Sequence, residues 1–156
     1  MEKWNGFDLV DFDFEGKKAK VVFPKESKIG VYPAIKAEYW DAFPAVEIAL
    51  LERGIPLCWV ENESRFATKA DSDRKARLIE YLSEQYGFSK KCIPIGMSCG
   101  GAHAINFAGD YPELIHRIFI DAPVLNFLSF PAKPLFSKIW EKEFTLAYPG
   151  IGRHQL

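Results

Sequence analysis

The sequence predicts an α/β fold: a single domain over residues 1–156, with a mostly parallel sheet, an N-terminal antiparallel hairpin and helices on both faces. Three observations predict it. Two β-type runs, residues 7–14 and 19–23, flank the turn residues Glu15-Gly16-Lys17. From Asp41 onward, strand-length apolar runs alternate with stretches of helical periodicity, an order whose crossovers make neighbouring strands parallel. Finally, Gly96-Met97-Ser98-Cys99-Gly100-Gly101 stands between an apolar run and a helical segment of small residues, as a tight strand-to-helix turn would.

Each element follows from local pattern. Residues 7–14 alternate partly between apolar and polar, and 19–23 return along them as the second strand of the hairpin. A polar connection over 24–28 leads to a short strand at 29–32, ended by Pro33, with a loop at 34–39. From Asp41 the pattern turns helical: Phe43, Val46 and Leu50 share a face, and Ala42, Ala45 and Ala49 are strong helix formers. Arg53-Gly54 closes that helix. Residues 55–60 form the next strand and 61–69 a charged loop. Asp71 or Ser72 caps a helix running to about Tyr86, striped with Leu78, Ile79, Leu82 and Tyr86 and stopped by Gly87. Residues 92–95 are the strand before the glycine-rich turn, and the helix after the turn runs to about Gly109. Residues 115–122, centred on Ile118-Phe119-Ile120, are the next strand. Residues 123–134, with prolines at 123, 131 and 134, read as loop, and 138–148 as a last helix broken by Pro149-Gly150.

Composition excludes several classes. An apolar fraction of 48% with 26% charged residues is that of a soluble globular protein with a core of its own. A net charge of −1 gives no general attraction to nucleic acid or anionic membranes. The three cysteines, Cys58, Cys92 and Cys99, are odd in number and irregularly spaced, which speaks against a disulfide framework or zinc site and for buried free thiols. No signal-peptide pattern opens the chain and no apolar run approaches ~18 residues. A soluble, cytoplasmic protein with no cofactor, no metal, no nucleic acid and no membrane partner is the expectation.

The chemistry is concentrated in the turn. Gly96-x-Ser98-x-Gly100 after a strand and before a helix is the setting of a nucleophile elbow. The serine oxygen then projects at the head of a helix, where unpaired N–H groups and the positive dipole end favour a developing oxyanion.

These segments resemble the α/β-hydrolase-fold serine hydrolases. The runs Ala42-Phe43-Pro44-Ala45-Val46-Glu47 and Asp121-Ala122-Pro123-Val124-Leu125, together with the turn, look like small bacterial esterase or peptidase-like members. The resemblance extends over nearly the whole chain but reaches only the N-terminal portion of that fold. It implies a truncated member lacking the last strands, whose loops carry the acid and the histidine. It also implies hydrolysis of small acyl esters through an acyl-enzyme, with Ser98 as nucleophile and the Cys99 N–H as one oxyanion donor. The second donor would come from the loop after Tyr32; Pro33 has no N–H, so Ala34 or Ile35 is the candidate. The alternative is a catalytically incomplete scaffold, or a module that associates with its own copies through an exposed sheet edge.

An acid and a base are harder to find. His154 alone among the three histidines comes late enough in the chain for the family order, and it sits in a terminal tail. Asp121 ends the strand after the turn and could orient a histidine; bracing the loop at Pro123 is the plainer role. His103 lies five residues after Ser98 on the same helix, about one and a half turns on, and reads as a packed histidine. His116 falls at the amino end of its strand, the wrong end of the sheet for catalysis. The central position of the motif belongs to Ser98, so Cys99 is not the expected nucleophile.

Overall fold

The computed structural model describes residues 2–126 and 134–151. Twelve elements follow one another: β1 (Glu2–Trp4), β2 (Phe7–Phe14), β3 (Lys17–Phe23), β4 (Ala34–Lys36), α1 (Ala45–Glu52), β5 (Leu57–Val60), α2 (Lys69–Tyr86), β6 (Ile93–Met97), α3 (Cys99–Asp110), a 3₁₀ turn (Pro112–Leu114), β7 (Phe119–Asp121) and α4 (Pro134–Ala147). The seven strands form one mixed sheet in the order β1-β2-β3-β5-β4-β6-β7. Pairings from β1 to β5 are antiparallel, and those from β5 through β4 and β6 to β7 are parallel.

The expected hairpin is present and is preceded by a short strand that the pattern did not announce. Trp4 pairs with Phe7 across Asn5-Gly6, both at positive φ. Asparagine and glycine tolerate that conformation, which matches the twist of a two-residue hairpin. Adjacent strand residues feed opposite cores. Val22, Ala34, Leu57 and Ile95 pack with Leu51 of α1 on one face. Val21, Ile35 and Cys58 pack with Leu78, Ile79 and Leu82 of α2 and Phe107 of α3 on the other. The period of two along each strand thus places a helical layer on each face.

Several boundaries moved. The helix expected from Asp41 begins at Ala45, with Phe43 80% exposed in the loop before it. The strand expected at 115–122 shortens to Phe119–Asp121, and the last helix begins at Pro134 rather than Lys138. Two further shifts have a clear physical reason. The strand expected at 29–32 lies instead at Ala34–Lys36: Gly30 turns the chain at φ 73° and Ile29 is 94% exposed. The helix expected from Asp71 or Ser72 starts at Lys69, because the Thr68 hydroxyl caps it by accepting from the Asp71 N–H at 3.3 Å. Gly87 ends it at φ 68°. All three cysteines are free and buried. Among the described residues no helix is long and apolar enough to cross a membrane.

Candidate active site

The parallel strands all end on one side of the sheet, and the loops leaving them meet around Ser98. Ser98 has φ 56° and ψ −121°, a conformation that costs an ordinary residue about 1–3 kcal/mol and persists only where its surroundings enforce it. They do enforce it. The Ser98 N–H donates to Asp121 O at 3.1 Å, and its carbonyl accepts from Gly101 N at 3.0 Å and Val124 N at 2.9 Å. The turn is also too tight for side chains. A Cβ on Gly96 would overlap the Gly100 carbonyl and lie 2.7 Å from Gly101 Cα. On Gly101 it would strike Pro123, and on Gly100 it would come within 3.1 Å of Glu38 Cβ. Ser98 is half-buried, and α3 begins at the next residue, so the Cys99 N–H sits in a first turn that has no intrahelical acceptor for it.

The loop at 37–44, after β4, forms the facing wall. Its path is held by polar side chains. Lys36 and Glu47, both buried, form an ion pair at 2.7 Å, and the Lys36 ammonium also donates to Ala42 O at 2.7 Å. Asn62, in the loop after β5, donates to Ala37 O at 2.7 Å and to the Glu38 carboxylate at 2.6 Å. Behind Asn62, the buried Lys75 ammonium donates to its side-chain oxygen; burial pulls the Lys75 pKa down to about 8. Tyr39 and Phe43 stand at φ 52° and 48° in this wall.

α4 closes a third side by packing on the loop at 61–68. Phe66 inserts between Trp140 and Phe144, and the Tyr148 hydroxyl donates to Phe66 O at 2.7 Å. Arg65 stacks on Trp140 with its guanidinium 4.2 Å from the ring centre and is bonded through two nitrogens to Glu143.

The expected site residues fare differently. Ser98, Cys99 and Asp121 come together: Asp121 ends β7 beside the turn with its side chain exposed. Ala34 and Ile35 do not join them. With the strand at Ala34–Lys36, both are fully buried in the sheet, and the Ala34 N–H is already bonded to Pro56 O at 2.8 Å. The backbone that faces the turn from this side belongs to Glu38 instead, whose N and Cα lie 3.4 and 3.7 Å from where a Gly100 Cβ would stand; the Tyr39 N–H is already bonded to the Glu38 carboxylate at 3.3 Å. The Cys99 thiol is hydrogen-bonded with the Tyr39 hydroxyl, and burial raises both their pKa values, which keeps Cys99 a neutral thiol. His103 is buried, with Nε2 2.8 Å from Ser64 O and 3.7 Å from the Glu38 carboxylate. Burial lowers its pKa to about 3, so the Nε2–H donates to Ser64 and the ring stays neutral. His116 stacks on Tyr32 with ring centres 3.8 Å apart at the opposite end of the sheet. His154 lies outside the described residues.

Sheet order and helical layers together find ready counterparts among solved structures. The Francisella virulence factor BioJ superposes with a TM-score of 0.61 at 14% identity, covering 95% of this chain and 56% of its own. Esterase Est22 matches 81% of the chain and 46% of itself, at TM-score 0.56 and 15% identity. A probable hydrolytic enzyme from Pseudomonas aeruginosa does so with the same coverage, at 0.52 and 17%. The chain has the α/β-hydrolase fold. It spans about half the length of the solved α/β-hydrolase-fold structures it matches. No family model matches the sequence, and no curated protein matches it.

Proposed function

We propose that this α/β-hydrolase-fold chain carries the nucleophile of a serine hydrolase acting on small carboxylic esters. The observation that carries this reading is the strained Ser98 backbone, held by three glycines whose missing side chains alone make the turn possible. Such strain is retained where it serves a reaction. In this reading Ser98 Oγ attacks the ester carbonyl and the alcohol leaves. The acyl-enzyme is then hydrolysed by water. The Cys99 N–H and the backbone N–H of Glu38 hold the oxyanion, each such donor being worth roughly 2.7–4 kcal/mol in the transition state. Asp121 and His154 are the acid and base we assign within the chain; a second chain is the other source. The ester class is supported by the esterase among the structural neighbours.

A second reading, a catalytically incomplete scaffold that associates with its own copies, is favoured by one observation. Neither described histidine is bonded to Ser98.

A fluorophosphonate probe separates the two. Rapid labelling of the wild-type chain, absent in Ser98→Ala and mapped to Ser98 by mass spectrometry, is the expected result. Failure to label a folded sample, beside an active control hydrolase, would leave the scaffold reading. Slow turnover of an activated ester would not suffice, since an oxyanion hole without a base still gives ~10³–10⁴-fold over water.

A further inference from the structure

Lys75, on α2, is 1% exposed, where packing alone would place an apolar side chain. An ammonium taken out of water is costly unless it is well paired. This one donates to Asn62 Oδ1 and, at 3.4 Å, to Asp71 O. The Asp71 carboxylate is taken up elsewhere, by the Glu63 N–H, the Thr68 hydroxyl and Arg74. An ammonium has donors and no acceptor, so it fixes which end of the Asn62 amide turns toward it. The oxygen must face Lys75 and the NH₂ group must face away. On that far side Asn62 Nδ2 donates to Ala37 O at 2.7 Å and to Glu38 Oε2 at 2.6 Å. His103 Nε2, 3.7 Å from the same carboxylate, is bonded to Ser64 O instead.

The Ala37 carbonyl and the Glu38 N–H belong to one peptide plane. That peptide is trans, as are all those among the described residues, so the two groups point in opposite directions. A bond that pins the carbonyl therefore aims the N–H. The Glu38 nitrogen lies 3.4 Å from where a Gly100 Cβ would stand, and its N–H donates to no acceptor among the described residues. The Ala37 N–H, by contrast, is already bonded to Ile95 O at 2.8 Å. We propose that Asn62, oriented by Lys75, is a positioning residue that aims the Glu38 N–H at the oxyanion formed on Ser98. This role rests on the hydrolase reading, in which that N–H is an oxyanion donor. Asn62 acts through Ala37 and Glu38, not on the ester itself. The same chain of bonds accounts for the buried cation. Without its charge the amide is free to turn over, which would set its oxygen against the Ala37 carbonyl and the Glu38 carboxylate.

The test is saturation kinetics of Ser98 labelling by a fluorophosphonate on the full chain, with folding of each variant checked by circular dichroism. Such kinetics separate the limiting rate from the probe concentration that half-saturates the site. Asn62→Asp keeps the size of the side chain and an acceptor for Lys75, but has no N–H to give Ala37 O. Its limiting rate should fall by about ten- to a thousandfold, the upper figure being the outright loss of an oxyanion donor. Half-saturation should change by less than about twofold, since only a transition-state contact is lost. Asn62→Leu combined with Lys75→Met replaces both polar partners by apolar groups of similar volume, an exchange that buried sites tolerate. The combined variant should be as slow as Asn62→Asp and no slower than Asn62→Leu alone, because Lys75 acts only through Asn62. A folded variant of either kind that labels at the wild-type limiting rate overturns the proposal and leaves the hydrolase reading standing. So does a loss that falls on half-saturation as heavily as on the limiting rate, the mark of a wall merely loosened. Failure of both variants to fold overturns it as well, since Asn62 would then hold the fold and not one N–H. A wild-type chain that does not label at Ser98 overturns the hydrolase reading, and this role falls with it.

Discussion

β6 and β7 are neighbours in one parallel ladder and are similarly apolar, yet one is sealed and the other open. Ile95 in β6 is 4% exposed and Ile120 in β7 is 38% exposed. β6 has a strand on each side, and α3 packs against it directly; among the described residues β7 has a strand, β6, on one side only. The difference separates two uses of the same composition. The sealed strand delivers a strained residue to a fixed place, because nothing around it can give way. The open strand leaves apolar residues exposed among the described residues.

The largest effect expected on the sealed side comes from one methyl group. Gly96→Ala drives a Cβ into the Gly100 carbonyl, and backbone on both sides of Ser98 must move. We expect at least about 4 kcal/mol of lost stability, or no soluble protein, by urea unfolding. Gly109→Ala, in α3, is the counterpart: nothing lies within 4 Å of its Cβ. There alanine should be neutral or stabilising by up to ~1 kcal/mol, as in an ordinary helix interior. Equal losses at the two glycines would mean that close approach is not what holds the turn.

The same contrast explains what could be read from the sequence. The turn was legible because its glycines and its place between an apolar run and a helix are local facts. β4 was not, because the central strand Ala34-Ile35-Lys36 ends in a buried lysine whose partner, Glu47, lies in a helix eleven residues on. Hydropathy favoured Ile29-Gly30-Val31-Tyr32, a turn with only Val31 packed on the core, and the proposed oxyanion donor was expected at Ala34 or Ile35 for the same reason. Lys36 and Glu47 hold the loop at 37–44, which the sequence pattern did not announce; a lysine closing a short apolar run could have flagged them. Asn62 and Lys75 could not be found this way, since their roles exist only once α2 packs behind the loop.

Acid should attack the sealed side first. His103 is held neutral in the fold with a pKa of about 3, against 6.5 for the free side chain. Between those values the unfolded chain takes up a proton that the native state refuses, so stability falls as pH drops from 6.5 toward 3. The loss attributable to this group between pH 7 and pH 4 is roughly 3 kcal/mol. His103→Gln keeps a donor for Ser64 O and cannot titrate, so its unfolding free energy should depend less steeply on pH by about one proton. Urea titrations of both proteins at pH 7, 5.5 and 4 measure this; parallel pH profiles would mean that His103 reaches solvent.

The open edge should be nearly indifferent to the same kind of measurement. Ile120→Thr keeps a β-branched residue while removing part of an exposed apolar surface. We expect its unfolding free energy within about 0.5 kcal/mol of wild type, the range of ordinary surface substitutions. A loss near 2 kcal/mol would show Ile120 buried within its own chain. β7 would then be as sealed as β6, and the contrast between the two strands would disappear.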